Sequence, residues 1–151
     1  MRKIKILFVT HHWKNNSHHS QFGGYHRMVD FISSKKIEST ILTWGEKDEE
    51  YFDRNTKIIV KKIPRFMRFW FKRSILLKEA SRISLDYDLV HALFDDVAPL
   101  DIDKPLISTI HTIKELDKDS LFLKLRWIYQ KKVINKSKKI IVLSSNMKKL
   151  L

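Results

Sequence analysis

The chain has 151 residues, enough for one domain with a sizeable hydrophobic core, and 43% of them are hydrophobic, which excludes a disordered tail. It has no cysteine, which excludes disulfides and thiolate metal sites and is compatible with a reducing compartment. Its formal net charge of +13 favours anionic partners, namely nucleic acid, an anionic membrane or a phosphorylated small molecule.

Apolar runs rich in β-branched residues predict strands at residues 4–9, 39–44, 56–63, 89–93, 106–110 and 140–143. Apolar residues at helical spacing predict helices at residues 25–32, 74–84 and 121–134. Strands that alternate with helices indicate an α/β protein with a parallel sheet of about six strands and right-handed crossovers.

The helical patterns also predict which side chains face the sheet. For residues 74–84 they are Ile75, Leu76, Ala80 and Ile83, and for residues 121–134 they are Leu121, Leu125, Ile128 and Tyr129. Ser144 or Ser145 is expected to cap a last helix, of which the chain contains barely one turn. Because so short a helix is not stable alone, we expect the domain at 1–151 to be truncated near this helix.

No segment approaches the roughly 20 apolar residues of a membrane-spanning helix. The apolar run at the start of the chain is too short for the core of a signal peptide. We therefore expect a cytoplasmic protein, with peripheral contact to the inner face of the membrane as a further option.

His111 is a titratable residue at the end of an apolar strand, and ligands of open parallel sheets bind outside the carboxyl ends of the strands. An imidazole there can donate a hydrogen bond to a substrate hydroxyl or a developing oxyanion. The plainer alternative is a hydrogen bond to a neighbouring carbonyl. We favour the catalytic interpretation because this strand is expected to end beside the loop that follows the first strand.

Gly23 and Gly24 lie between the first strand and the first predicted helix. Amides at a helix start attract phosphate or carboxylate, and glycine lets the backbone approach such a ligand closely. The alternative is a simple tight turn, because the dinucleotide pattern G-x-G-x-x-G and the P-loop lysine are both absent. We expect an anion-binding loop that closes over its ligand, with Trp13 and Lys14 as the apolar and cationic contacts.

The same loop is rich in histidine, a composition that can bind zinc or nickel. The histidines are His11, His12, His18, His19 and, just inside the predicted helix, His26. No carboxylate or cysteine accompanies them, and they lack the paired spacing of structural zinc sites, so we expect no metal and no cofactor.

Three polar residues follow or interrupt the strand at residues 89–93. His91 lies inside it and is expected to be a core residue whose hydrogen bonds are satisfied. Asp95 and Asp96 come after it and have the chemistry to bind hydroxyl groups, but we expect them to be solvated loop carboxylates.

Residues 63–73 interleave cations with large apolar rings. Those assigned to membrane contact are Arg65, Phe66, Arg68, Phe69, Trp70, Lys72 and Arg73. Such a segment can lie at an anionic membrane interface, stack single-stranded bases, or form a helix that packs its rings on the sheet. The sequence leaves these three interpretations open, with nucleic acid the least favoured.

Five segments, in this order, resemble the N-terminal domain of family-4 glycosyltransferases, the retaining class built from two Rossmann-like domains (GT-B fold). They are residues 6–10, 23–27, 87–92, 108–111 and 139–144, and together they span almost the whole chain. The resemblance implies a Rossmann-like sheet with helices on both faces, the N-terminal half of a GT-B fold.

The resemblance also implies roles for individual residues. Gly23 and Gly24 would lie near the donor diphosphate and the acceptor, and Ser144 is added as a further donor-phosphate contact. His111 would lie by the transferred sugar, although Thr112 follows it where the family often has Asp. The family's C-terminal domain, which supplies the E-x7-E carboxylates and most nucleotide contacts, has no counterpart in this sequence.

These observations predict the acceptor-side domain of a nucleotide-sugar-dependent, hexosyltransferase-type glycosyltransferase in cell-envelope polysaccharide or glycolipid synthesis. Its expected partners are a nucleotide sugar, a lipid or saccharide acceptor, an anionic membrane surface, and a C-terminal domain or a separately encoded partner. Alone, the chain is expected to be inactive. The alternative is a non-catalytic basic module that binds nucleic acid or an anionic membrane, although no nucleic-acid-binding motif is present.

Overall fold

The computed structural model describes residues 2–11, 36–64, 66, 67, 69–111, 121–142, 144, 145 and 148. In this part of the chain the strands are β1 (Ile4–Val9), β2 (Ile37–Gly45), β3 (Glu49–Asp53), β4 (Thr56–Lys62), β5 (Leu89–Ala92), β6 (Leu106–Ile110) and β7 (Lys139–Val142). The helices are α1 (Phe69–Ile83) and α2 (Leu121–Lys136), with 3-10 turns at Ser84–Asp86 and Asp95–Val97.

The strands form one sheet in the order β3-β4-β2-β1-β5-β6-β7. All neighbouring pairs are parallel except β3 and β4. This arrangement confirms the predicted α/β fold with a Rossmann-like, mostly parallel sheet. The predicted strands at residues 4–9 and 106–110 are confirmed at both ends.

The central strand β1 shows why an apolar run in this sequence predicts a strand. Its side chains alternate between two faces, and Leu7 and Val9 pack in a core with both α1 and α2. Ile6 and Phe8 point to the opposite face and pack with Ile41 in a second core. A parallel strand that is buried on both faces is mostly apolar, which gives the nearly continuous apolar run at Ile6–Val9. The helix predicted at residues 25–32 lies outside the described residues.

The sheet has a seventh strand that the sequence did not predict, because β3 is rich in acidic residues and has no apolar run. It pairs antiparallel with β4 at the edge of the sheet, and the Nζ atom of Lys57 lies 2.6 Å from a carboxylate oxygen of Glu50. Arg54 makes the turn between these strands with a φ of 54°. Tight hairpins usually place glycine, asparagine or aspartate at a position with positive φ. Because Arg54 occupies it here, the sequence does not show the residue pattern typical of a hairpin turn.

Helix α1 begins five residues earlier than predicted, at Phe69, and its inner face includes Arg73, while the predicted Ile75 is only half-buried. Leu76 and Ala80 are fully buried, as predicted. Arg73 joins them on the same face, three residues before Leu76, and is only 9% exposed. Arg73 lies before the predicted helix and was predicted to contact a membrane. An isolated charge is costly to bury, and the partners that satisfy Arg73 come from elsewhere in the fold.

The predicted inner face of α2 is wrong for two of its residues, since Leu125 is 58% exposed and Ile128 is 46% exposed. The helix instead buries Gln130 and Val133, and Tyr129 packs against the core. Hydrogen bonds from Tyr129 and Gln130 to the loop after β5 fix this rotation. The side chain of Leu121 lies outside the described residues.

Candidate functional site

The carboxyl ends of β1, β5 and β6 bring three rings into a row. His11 follows β1, Phe94 follows β5 and His111 follows β6. The ring centroids of His11 and Phe94 are 4.4 Å apart. Those of Phe94 and His111 are 4.5 Å apart, with the rings stacked at 17°. We call His11, Phe94 and His111 the ring row, and it lies at the edge where ligands of parallel sheets bind.

The imidazole of His111 is held by a backbone carbonyl. Its Nε2 atom donates a hydrogen bond to the carbonyl oxygen of Leu93 at 2.9 Å. Leu93 is itself anchored, because its amide donates to the carbonyl of Val9 at 2.9 Å. The plainer alternative for His111, a bond to a neighbouring carbonyl, is therefore present. It also fixes the tautomer, since a neutral imidazole that donates through Nε2 has an acceptor at Nδ1.

His11 contacts a carboxylate that the sequence placed in solvent. Its Nδ1 atom lies 3.6 Å from Oδ1 of Asp96, and both side chains are only about one-tenth exposed. On the other side of Asp96, a guanidinium nitrogen of Arg126 lies 4.0 Å from Oδ2. Arg73 donates a hydrogen bond through Nε to the main-chain carbonyl of the same residue. Asp96 therefore lies within a group of three basic side chains.

Asp95 is also buried, so the prediction that these two residues are solvated loop carboxylates is wrong. Asp95 is 6% exposed and Asp96 is 8% exposed. The 3-10 turn folds them inward, where the amide of Gln130 donates to Oδ2 of Asp95 at 3.0 Å. Burial raises the pKa of the Asp95 carboxyl and the charge of Asp96 raises it further, while Arg126 and Gln130 oppose that change.

A pocket of about 330 Å³ opens beside this pair of carboxylates. The side chains that line it come from α1, the loop after β5 and α2, and they are Trp70, Arg73, Asp95, Asp96, Leu125, Arg126 and Tyr129. The guanidinium of Arg73 lies 3.8 Å from the ring centroid of Tyr129 and 5.1 Å from that of Trp70. We call this the carboxylate pocket, and it shares Asp96 with the neighbourhood of the ring row.

His91 has the core role predicted for it. It is 4% exposed, and its Nε2 atom lies 3.0 Å from the hydroxyl of Thr109. Its ring centroid is 5.3 Å from that of Phe8. Burial lowers the pKa of this imidazole to about 4, so His91 is neutral at physiological pH.

Some of the residues predicted to contact a membrane are exposed, whereas Arg73 is buried. Phe66 is 88% exposed and Trp70 is 37% exposed, and Lys72 is half-buried. Arg73 faces the interior, as described above, so its assignment to a membrane surface is corrected by its burial. Arg65, Arg68 and the side chain of Phe69 lie outside the described residues.

The predicted phosphate contacts Trp13, Lys14, Gly23 and Gly24 also lie outside the described residues. Ser144 is described and exposed, two residues beyond the end of β7, and its carbonyl accepts a hydrogen bond from the amide of Lys148 at 3.2 Å. No cluster of three metal-ligating side chains occurs within the part of the chain that the structure describes. None of the helices described in this structure is long and apolar enough to cross a membrane.

The carboxylate pocket was missed at the sequence level, although one signal for it was present. Asp95 and Asp96 come three and four residues after the end of a buried strand, at the edge where sites of this fold class form. Nothing in the sequence linked them to Arg126 and Tyr129, which lie about 30 residues further along the chain. That link depends on how α2 packs.

Comparisons with known proteins identify a family. Residues 24–151 match the family model described as Glycosyltransferase Family 4. No curated protein matches the sequence. One similar solved structure is that of a Sure protein from Aquifex aeolicus, with 12% identity and a TM-score of 0.38 over 91% of this chain and 66% of that chain. That structural similarity is too low to carry an argument. The family model covers most of the chain, and the protein therefore belongs to glycosyltransferase family 4.

Proposed function

We propose that this chain is the acceptor-side domain of a nucleotide-sugar-dependent, retaining glycosyltransferase in cell-envelope polysaccharide or glycolipid synthesis. It would act with a donor-binding domain across a cleft that excludes water and orients the two substrates. Family membership and the ring row at the carboxyl edge of the sheet support the proposal. The ring row is the observation that carries it, because it places a fixed imidazole at the edge where such a cleft would form.

His111 would position the transferred sugar. The hydrogen bond from its Nε2 atom to the carbonyl of Leu93 holds the ring in place, so His111 would present a fixed imidazole to the sugar. The proposal also includes phosphate contacts by Gly23, Gly24 and Ser144, and closure of the loop that carries Trp13 and Lys14.

Turnover tests the role of His111, measured with this domain joined to a donor-binding domain. His111→Ala should lower sugar transfer from the nucleotide sugar at least about tenfold, the loss expected for one hydrogen bond to the reacting sugar. His111→Gln should retain a donor for the Leu93 carbonyl and still lose most activity. His91→Gln is the matched control, because this enclosed side chain should affect stability and leave turnover unchanged. Unchanged turnover in a folded His111→Ala protein would refute the proposal.

Peripheral contact with an anionic membrane is a second part of the proposal. Phe66, Trp70 and Phe71 are exposed to 88%, 37% and 64%, and the half-buried Lys72 follows them. Exposed rings enter the acyl boundary while cations meet anionic head groups. The net charge of +13 adds to this attraction.

Cosedimentation with vesicles of phosphatidylglycerol and phosphatidylcholine tests the membrane contact. Phe66→Ser together with Phe71→Ser should weaken binding about tenfold or more, because burying one Phe side chain contributes about 1.5–3 kcal/mol. Phe52→Ser is the control, since Phe52 is 73% exposed on the edge strand β3. An oligonucleotide that displaces the protein from the vesicles at low molar excess would favour the nucleic-acid alternative instead.

A further inference from the structure

A second pocket lies at the opposite edge of the sheet from the ring row. Lys3 precedes β1, Glu38 lies at the start of β2 and Lys57 at the start of β4, so these residues mark the amino ends of parallel strands. The hairpin between β3 and β4 forms a wall of this pocket, whose volume is about 470 Å³. The residues around it include Lys3, Glu38, Phe52, Arg54, Asn55 and Lys57. We call it the amino-edge pocket.

The charged side chains around the amino-edge pocket favour an anion. Among the described residues that line it, Lys3, Arg54 and Lys57 are cationic, and Glu38 is the one carboxylate. The Nζ atom of Lys57 lies 2.6 Å from a carboxylate oxygen of Glu50, but an ammonium group has three donors and can bind further acceptors. A guanidinium has five donors in a planar fork that matches the oxygens of a phosphate.

Arg54 occupies a backbone position that favours glycine. It is the first residue of a two-residue turn between the paired residues Asp53 and Thr56, and its φ is 54°. A side chain with positive φ is strained, which is why such turns favour glycine or asparagine there. The conformation of the turn therefore does not account for an arginine, whereas a role for its guanidinium in the adjoining pocket does.

Phe52 adds a flat apolar surface beside these cations. Its side chain is 73% exposed, and it lies opposite Lys57 in the register of β3 and β4. Exposed aromatic rings beside basic side chains bind nucleotides, because a planar base stacks on the ring while the cations meet the phosphate. The volume of the pocket lies within the range of small-molecule sites, about 300–1,000 Å³, so a phosphate alone would use only part of it.

We propose that the amino-edge pocket binds a nucleoside phosphate. The phosphate lies against Arg54 and Lys57, and the base stacks on Phe52. This site is separate from the one proposed for sugar transfer, because it lies at the amino ends of the strands and the ring row lies at their carboxyl ends. The inference therefore does not depend on the proposed function.

Calorimetric titration of this chain at constant ionic strength tests the inference. The probes are adenosine monophosphate, uridine monophosphate, adenosine and inorganic phosphate. At least one nucleotide should bind, and its nucleoside part and phosphate should each bind at least about tenfold more weakly when offered alone, because each makes only one of the two contacts. Absence of binding by both nucleotides, or equal binding of inorganic phosphate, would overturn the inference.

Arg54→Gly should change binding and stability in opposite directions. It should weaken nucleotide binding at least about tenfold, because charge-assisted hydrogen bonds to the phosphate are lost. It should also raise the thermal midpoint by up to about 4 °C, because glycine adopts the positive φ without strain. A purely structural role for Arg54 predicts a lower midpoint and unchanged binding, and that result would overturn the inference.

A matched pair of lysine variants separates a defined site from the general attraction of a basic protein for anions. Lys57→Gln should weaken nucleotide binding about fivefold or more. Lys62→Gln removes the same charge from an exposed position at the other end of β4 and should leave binding unchanged. Glu38→Gln removes a carboxylate from the lining and should strengthen binding about twofold or more. Equal effects of the two lysine variants would contradict a site at this edge.

Amide NMR spectra locate the bound nucleotide and keep this test apart from the proposed function. Resonances of Asn55 and Lys57 should shift on titration, while those of Phe94 and His111 should not. His111→Ala should leave nucleotide binding by this chain unchanged, even where it removes turnover of the joined domains. Shifts confined to the ring row would overturn the inference and leave the proposed function standing.

Discussion

His91 should make the stability of this protein depend on pH. Its imidazole is 4% exposed, and burial lowers its pKa from 6.5 to about 4. In the unfolded chain the imidazole regains its ordinary pKa, so between pH 6.5 and about 4 the unfolded state binds a proton that the folded state excludes. The contribution of His91 to the free energy of unfolding is therefore complete above pH 6.5 and is lost as the pH falls toward 4.

The size of the effect follows from the pKa difference. A pKa difference of one unit corresponds to about 1.4 kcal/mol. Lowering the pKa of His91 from 6.5 to about 4 therefore changes the unfolding free energy by about 3 kcal/mol. Asp95 acts in the opposite direction, because its pKa is raised in the folded state and its contribution falls as the pH rises above 3.8. Both the protein and a His91 variant contain Asp95, so the difference between their pH dependences reports the contribution of His91.

Urea unfolding at a series of pH values from 4 to 7.5 measures the effect. His91→Gln should lower stability at pH 7 and should flatten the pH dependence by about 3 kcal/mol across this range. Thr109→Val removes the hydroxyl partner of the imidazole, and it should cost about 1–3 kcal/mol while leaving the pH dependence in place, because burial is its cause. Parallel pH profiles for the protein and His91→Gln, or titration of His91 near pH 6.5 by NMR, would refute this reasoning.

Four further substitutions, two of them combined in a double variant, test the packing. Leu76→Ala, at a fully buried position on α1, should lower the unfolding free energy by about 2–5 kcal/mol, and a loss below 1 kcal/mol would contradict the burial described. Gly45→Ala places a Cβ 2.5 Å from Cγ1 of Val60 and should cost about 1–3 kcal/mol. Adding Val60→Ala should relieve that clash, so the double variant should show a favourable coupling in urea unfolding. Arg73→Lys keeps the charge but loses the planar contact with Tyr129, and it should lower the thermal midpoint by several degrees, whereas an unchanged midpoint would exclude a structural role for the guanidinium.

Much of the sheet was predictable because each strand carries its own signal. β1 and β6 are largely buried and rich in apolar, β-branched residues, and both were predicted to the residue. β3 was not predicted, because an edge strand needs only one apolar face and its turn uses Arg54 where a glycine is usual. The position of His111 at the end of β6 was also predictable from the sequence, since it depends only on where that strand ends.

The site shows where sequence reasoning reaches its limit. Asp95 and Asp96 look like loop carboxylates because their neighbours in the chain give no sign of a partner. The groups that hold them inside are Arg73, 23 residues before Asp96, and Gln130, 35 residues after Asp95. Likewise, the apolar pattern of α2 predicted that Leu125 and Ile128 face the core, whereas the helix packs with Tyr129 and Gln130 hydrogen-bonded to the loop after β5.

The sequence by itself therefore determined the α/β sheet, the order of its elements and the histidine at a strand end, because these depend on local apolar patterns. Only the tertiary structure decided which charges are buried, which face of α2 is inside and that a pocket exists. The physical reason is that a buried carboxylate is tolerated only when donors from distant segments surround it, and those donors meet only in the folded chain.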